Sequence, residues 1–287
     1  GLALSIPTFH IVPDALAEEA ARPVLSVAEG TDYAALVSTV LAPLGGIEAF
    51  VKAGARVVVK PNIGWDRTPE QAANTHPDVV KALVQLALDA GAEEVQVFDR
   101  SCNEARRCYV NSGIKAAVES LNDKRATCTF IDERKFVPVN IEKGKSLDRF
   151  EFYKPALEAD CYINVPIAKQ HGLKNTMGVI GGNRGIIHMA LGQRIADLNT
   201  VVRSHLTVID ATRILLRHGP SGGSLDDVDV RNILIASADP IAADAYAATL
   251  FGWEPQDLES TRAGYDLGLG EIDLNKVEIL QAAAPVT

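Results

Sequence analysis

The stretch Ala55-Arg56-Val57-Val58-Val59-Lys60-Pro61-Asn62 decides the fold. Three consecutive valines form the apolar run of a strand buried on both faces. Proline has no N–H to give a ladder, so the strand stops at Lys60-Pro61. A polar loop from Gly64 to Asn74 follows, and Thr75-His76-Pro77-Asp78 opens a helix that runs through Asp89. Proline and aspartate suit the first turn of a helix, and Gly91 suits its end. Glu94 to Phe98 is the next strand, and it finishes in Asp99-Arg100-Ser101. A helix from about Glu104 to Leu121 is interrupted near Gly113, and Ala126 to Ile131 is a third strand. Strand and helix alternate, which implies a parallel sheet with right-handed crossovers. The expected class is α/β: a mostly parallel sheet flanked by helices, with a small mixed or antiparallel extension.

Working outward, Val24 to Ala28 is a short strand candidate, and residues 31 to 42 form a helix with Thr31 as its cap. Strand-like pieces at Phe136 to Val139 and Arg149 to Tyr153 place the antiparallel extension, or a small lobe, within 133–159. Arg194 to Ser204 is helical. Leu206 to Ile209 is a strand ending in Asp210, and Asn232 to Ala236 is a strand ending before Asp239-Pro240. Helices then run from Pro240 to Phe251, capped by Asp239, and from about Pro255 to Leu267, before a last strand at Lys276 to Leu280. Residues 1–23 read as a surface arm, and 24–287 as a single α/β domain.

The composition narrows the function classes. The chain has 287 residues, 47% of them hydrophobic, and a net charge of −9. That balance, without a long basic run, argues against nucleic acid as a partner. No apolar run approaches the roughly 18 residues of a membrane span. Cys102, Cys108, Cys128 and Cys161 contain no Cys-x-x-Cys pair, so the spacing speaks against an iron–sulfur cluster or a zinc ribbon. The first residue is Gly1, and the methionines are Met177 and Met189. The displayed start therefore reads as other than a native initiator, and the compartment stays open between the cytoplasm and export after removal of a leader.

Chemistry gathers between Cys161 and His188. A strand ends at Asn164-Val165-Pro166, the loop Lys169-Gln170-His171-Gly172 follows, and Leu173, Met177 and Ile180 share one face of a short helix. Lys169 and His171 would face the positive end of that helix, which suits an anion. Five strand candidates end in polar residues: Lys60 with Asn62, Asp99, Asn164 with the Lys169 loop, Asp210, and Asp239. If all are parallel, they share one rim, where ligands of open α/β sheets bind. Lys60, Lys169, His171 and Lys174 are therefore the catalytic candidates, as base, acid or charge neutraliser. Asn62, His76, Asn164, Asn175 and Arg184 are the candidates for binding substrate. Asp99, His188, Asp210 and Asp239 are the candidates for a divalent metal. The expected ligand is a small carboxylate or phosphate. The reaction class stays open among lyase, isomerase and racemase-like chemistry, beside a non-enzymatic binder of an anion or metal.

The ordered set Val58-Val59-Lys60-Pro61-Asn62, Thr75-His76-Pro77-Asp78, Ile163-Asn164-Val165-Pro166 with Lys169-Gln170-His171-Gly172-Leu173, Ala196-Asp197-Leu198, Ala238-Asp239-Pro240 with Asp244-Ala245, and Gly268-Leu269-Gly270 resembles the family called domain of unknown function 362. The resemblance runs roughly from Val57 to Gly270. It implies no settled activity. Many members of that family carry a ferredoxin-like segment, which brings in a redox accessory role and a redox partner protein as an alternative. The cluster cysteines of such a segment are missing here. The family's layout is also similar to that of nickel-dependent lactate racemases, an analogy of fold.

Overall fold

The structure is a computed structural model and describes residues 22–169 and 172–283. Its main sheet joins eight strands: β1 (Val24–Glu29), β2 (Arg56–Pro61), β3 (Glu94–Val97), β4 (Ala126–Cys128), β7 (Cys161–Val165), β8 (Leu206–Leu215), β9 (Val228–Ser237) and β10 (Glu278–Ala283). The intervening β5 (Phe136–Asn140) and β6 (Arg149–Tyr153) form a separate antiparallel pair, the extension expected from the sequence. The order across the main sheet is β10-β1-β9-β8-β7-β2-β3-β4. Strands β8, β7, β2, β3 and β4 are mutually parallel, whereas β9 is antiparallel to both of its neighbours, β8 and β1.

Strand alternation sorts the core into two faces. Val57 and Val59 of β2, with Ile163 and Val165 of β7, pack on α1 (Tyr33–Leu41) and α2 (Pro77–Asp89). In α2 the buried Val79, Val80, Leu83, Val84, Ala87 and Leu88 form the apolar stripe that fixes it there. The helix between β3 and β4 is split into α3 (Ala105–Asn111) and α4 (Ile114–Glu119), with Gly113 at φ +72° between them. That left-handed angle suits glycine and ends the first piece. On the opposite face Val58 and Tyr162 pack with Phe152 of β6, with Ala156 of the one-turn α5 (Lys154–Leu157), and with Ile195, Leu198 and Ile241 of α6 (Leu191–Asn199) and α7 (Pro240–Thr249). Lys60 follows Val58 by two residues, so the same alternation aims it into this second face.

Several boundaries differ from the sequence reading. Helix α1 is capped by the Asp32 carboxylate, not by Thr31, because Asp32 Oδ1 accepts from both Ala34 and Ala35 N–H groups. Residues 173–179 form a 3-10 helix, and the helix expected to begin at Pro255 divides into a 3-10 turn, Pro255–Asp257, and α8 (Glu259–Asp266). Asp197 in α6 accepts from the Lys145, Ser146 and Leu147 N–H groups and so ties the loop between β5 and β6 to the main body. No helix among the described residues is long and apolar enough to cross a membrane.

Candidate functional site

From β2 the chain steps to β3 and then β4. It returns on the other side of β2 as β7 and moves on to β8. The loops leaving β2 and β7 thus turn in opposite directions, and they part over a crevice at the carboxyl ends of the strands. A cavity of about 280 Å³ occupies that crevice. Asn62, Gly64 and Trp65 line it from the loop after β2, and Asp99, Arg100 and Cys102 from the loop after β3. Pro166, Ile167 and Lys169 extend from β7. The 3-10 helix contributes Lys174, Asn175, Met177 and Gly178, while Arg184, His188 and Pro220 close the sides.

The floor is a buried polar chain. Lys60 is fully buried, and its Nζ lies 2.9 Å from Asp99 Oδ1. The same Nζ donates to the Pro61 carbonyl at 2.6 Å and to Asn175 Oδ1 at 3.1 Å. Asn175 Nδ2 donates to Asn164 Oδ1 and to the Lys60 carbonyl, both at 2.9 Å. Asp99 Oδ2 accepts from the Ile63 N–H at 2.6 Å. Burial pushes the Lys60 ammonium toward losing its proton, and the Asp99 carboxylate opposes that. Gly178 presses against the pair: a Cβ there would lie 2.6 Å from Lys60 Nζ. Four residues expected at the site, Lys60, Asp99, Asn164 and Asn175, therefore form one network. Its groups bond mainly to each other.

Lys169 is held differently. Its Nζ donates to Asn62 Oδ1 at 2.8 Å, to the Ala73 carbonyl at 2.7 Å and to the Pro220 carbonyl at 3.1 Å, and it stands 5.9 Å from the centre of the Trp65 ring. Burial drives its pKa down to about 7. Three acceptors and an aromatic face match the three protons of an ammonium and favour the charged form. Arg184 spends its guanidinium on the carbonyls of Arg100, Met177 and Ser101. Arg100 donates to the carbonyls of Ile180 and Gly182 and pairs with Glu133. Lys174 is the exception. It lines the cavity half-buried, burial lowers its pKa, and it has no hydrogen-bond or ion-pair partner among the described residues. His188 and Cys102 are exposed at the mouth.

Other candidates lie elsewhere. His76 caps α2, where its Nδ1 accepts from the Asp78 N–H, and its own N–H donates to Asp210 Oδ2 at 2.7 Å. Asp210 is not the end of its strand as expected: β8 runs on to Leu215, and Asp210 Oδ1 accepts from the Thr212 N–H and hydroxyl where the register shifts between Ala211 and Arg213, while Oδ2 holds the start of α2. Asp239 belongs to the opposite rim, which corrects the expectation of five shared strand ends: β9 is antiparallel to β8, and Ser237 pairs with Thr207 near the start of β8. Its carboxylate accepts from the Ile241 and Ala242 N–H groups as the cap of α7, and from the Glu271 N–H. His171 lies outside the described residues. The N–H groups expected to receive an anion beyond it are already taken, since Asp244 accepts from Gly172 at 2.6 Å and from Leu173 at 3.1 Å. Among the described residues no three His, Cys, Asp or Glu side chains come together as metal ligands, so Asp99, His188, Asp210 and Asp239 do not assemble one.

Sequence reasoning passed over Trp65, Cys102, Met177, Gly178 and Pro220 as parts of the site. Trp65 was legible as an aromatic inside an otherwise polar loop directly after a strand end. Pro220 had no such signal, because its loop reaches the cavity only through the pairing of β8 with β9.

The defining pattern of the family described as "Domain of unknown function (DUF362)" matches residues 57–249. The chain belongs to this family. The match covers β2 through α7, and so every cavity wall just described. A thylakoid-associated protein from Synechocystis is 26% identical over 263 residues, which is 84% of this chain and 77% of that protein. Among solved structures, a protein from Thermotoga maritima aligns at a TM-score of 0.49 and 14% identity, over 78% of this chain and 60% of its own. The lactate racemase apoprotein from Thermoanaerobacterium thermosaccharolyticum aligns at a TM-score of 0.40 and 10% identity, over 85% of this chain and 60% of its own. The chain thus spans 60% of the length of each of these two structures.

Proposed function

We propose that this DUF362 chain binds a small anionic molecule, a carboxylate or phosphate, in the switch-point cavity, with Lys174 as the group that meets the anion. One observation carries the reading. Of the cationic side chains lining the cavity, Lys174 alone is without a partner among the described residues, while Lys169, Arg100 and Arg184 are committed to carbonyls. A half-buried ammonium with no counter-charge gains from an anion, because both lose water to the same small space. Lys169 adds its charge from behind without giving up its three acceptors. Lys60 belongs to the floor, paired with Asp99, and serves the architecture.

The reaction that these groups allow is proton transfer at a carbon next to the bound anion. His188 is the histidine at the mouth, and an imidazole can accept or return a proton. Lys174 would hold the carboxylate and stabilise negative charge that spreads onto it when the neighbouring carbon loses its proton. Asp99 is unsuited to the base role, since each oxygen is already engaged.

The test is calorimetric titration of the protein with acetate, lactate and inorganic phosphate, alongside Lys174→Ala. Saturable binding of at least one of the three by the parent protein is expected, weakened by at least tenfold in Lys174→Ala. Equal affinity in the variant, or no saturable binding of any of the three, would sink the reading.

A further inference from the structure

The cavity also specifies the body of its ligand. This step rests on the anion-pocket reading above. The polar groups of the lining are largely satisfied by one another. Asp99 accepts from Ile63 and faces Lys60, Asn175 bonds through both ends of its amide, and Asn62 Oδ1 accepts from Lys169. The side-chain nitrogens left without partners among the described residues include Lys174 Nζ, Asn62 Nδ2 and the Trp65 indole N–H, with the His188 ring at the mouth. Between these groups and the committed Arg100 and Arg184, the walls are apolar, made by the faces of Trp65, Pro166, Ile167, Met177 and Pro220, with Cys102 as a soft edge. A sugar or polyol needs donors and acceptors around its hydroxyls, and each hydroxyl left unpaired in such walls would weaken its binding. A nucleoside polyphosphate needs several free cations, and one is present.

The volume sets the size. About 280 Å³ stands at the small end of the range of small-molecule sites, which begins at about 300 Å³. A ligand of roughly ten non-hydrogen atoms fits.

We infer that the ligand is a monocarboxylate with an apolar, flat or branched body, its head on Lys174 and Asn62 and its body against Trp65, Met177 and Ile167. Trp65 is the specificity-determining residue. Its backbone is pinned at both ends by one side chain, since its N–H donates to Asn74 Oδ1 at 3.0 Å and its carbonyl accepts from Asn74 Nδ2 at 2.8 Å. The backbone that carries the indole into the cavity is thereby held in place, and the ring faces the Lys169 ammonium at 5.9 Å.

The experiment compares phenylacetate, glycerol 3-phosphate and acetate by calorimetry at one pH and ionic strength, with the parent protein, Trp65→Ala and Lys174→Ala. Phenylacetate and glycerol 3-phosphate each have roughly ten non-hydrogen atoms, so they differ in body and head but not in size. Phenylacetate is expected to bind at least about tenfold more tightly than either of the others, given the apolar area it buries. Trp65→Ala should remove most of that preference and leave acetate within about twofold of its parent affinity. Lys174→Ala should weaken all three. Tighter binding of glycerol 3-phosphate, or equal binding of acetate and phenylacetate, overturns the ligand class while the anion pocket stands. Binding of none of them, or affinities untouched by Lys174→Ala, overturns the anion pocket itself and the class with it. A preference for phenylacetate that survives Trp65→Ala overturns the role given to that wall.

Discussion

Replacing Gly178 by alanine drives a methyl group into the Lys60–Asp99 pair. The new Cβ would sit 2.6 Å from Lys60 Nζ and 2.7 Å from Lys60 Cε, and it would overlap Asp99 Oδ1 more deeply still. The backbone at Gly178 is outside the left-handed region, so the clash is steric and carries no torsional contribution. Neither partner has an easy retreat. Lys60 is fully buried and held by Pro61 and Asn175, and Asp99 is held by Ile63. The pair must separate, and an opened buried ion pair costs about 3–5 kcal/mol. Against a typical domain stability of about 5–15 kcal/mol, that is a large fraction. It corresponds to a fall in Tm on the order of ten degrees. Urea denaturation followed by far-ultraviolet circular dichroism measures it directly. The assignment to the pair is checked in an Asp99→Ala background, where the methyl finds space and alanine at 178 should cost at least about 1 kcal/mol less. A loss below about 1 kcal/mol for Gly178→Ala, or the same loss in both backgrounds, would refute this account of the floor.

Lys169 and Asp210 give further outcomes. Burial lowers the Lys169 pKa to about 7, whereas an unfolded lysine titrates near about 10.4. Between these values the unfolded chain holds more protons, so stability should rise as pH climbs from about 7 to about 10. Lys169→Met should flatten that rise in chemical denaturation, and an unchanged slope would exclude Lys169 as its source. A bound anion favours the protonated amine, so anion affinity should fall over the same window. Asp210→Asn keeps the shape but turns one acceptor into a donor facing His76 N–H or Thr212. It should cost about 1–3 kcal/mol in urea denaturation. A variant as stable as the parent would show that this brace is dispensable.

Much of the architecture is written locally. Val57-Val58-Val59 and the Pro77-Asp78 helix start declare a strand and a crossover without help from the rest of the chain, and Asp99 and Lys169 follow as strand-end groups. Asp239 shows where local reading stops. Its strand is as apolar as a parallel one, and its antiparallel sense appears only in the pairing of Ser237 with Thr207. The anion position moved for a similar reason. The loop after β7 offers open helical N–H groups, yet Asp244, more than seventy residues downstream, fills them. Lys174, by contrast, is notable for partners it lacks, and a sequence does not record missing partners. Whether a lysine near a loop is spent or available depends on which carbonyls come within 3 Å of it. That decided the difference between Lys169 and Lys174.

Lys169 joins three pieces of the wall at one atom: the turn at Asn62, through its side chain, and the loops at Ala73 and Pro220, through their carbonyls. One ammonium is therefore both a fastener for the walls and a source of positive potential inside them. Deprotonation makes the nitrogen a donor of two hydrogens, so one of the three ties is released as the charge disappears. Shape and potential in this cavity are a single variable. Any substitution that changes its charge through Lys169 also changes how firmly its walls are held, so selectivity and rigidity would have to evolve together there.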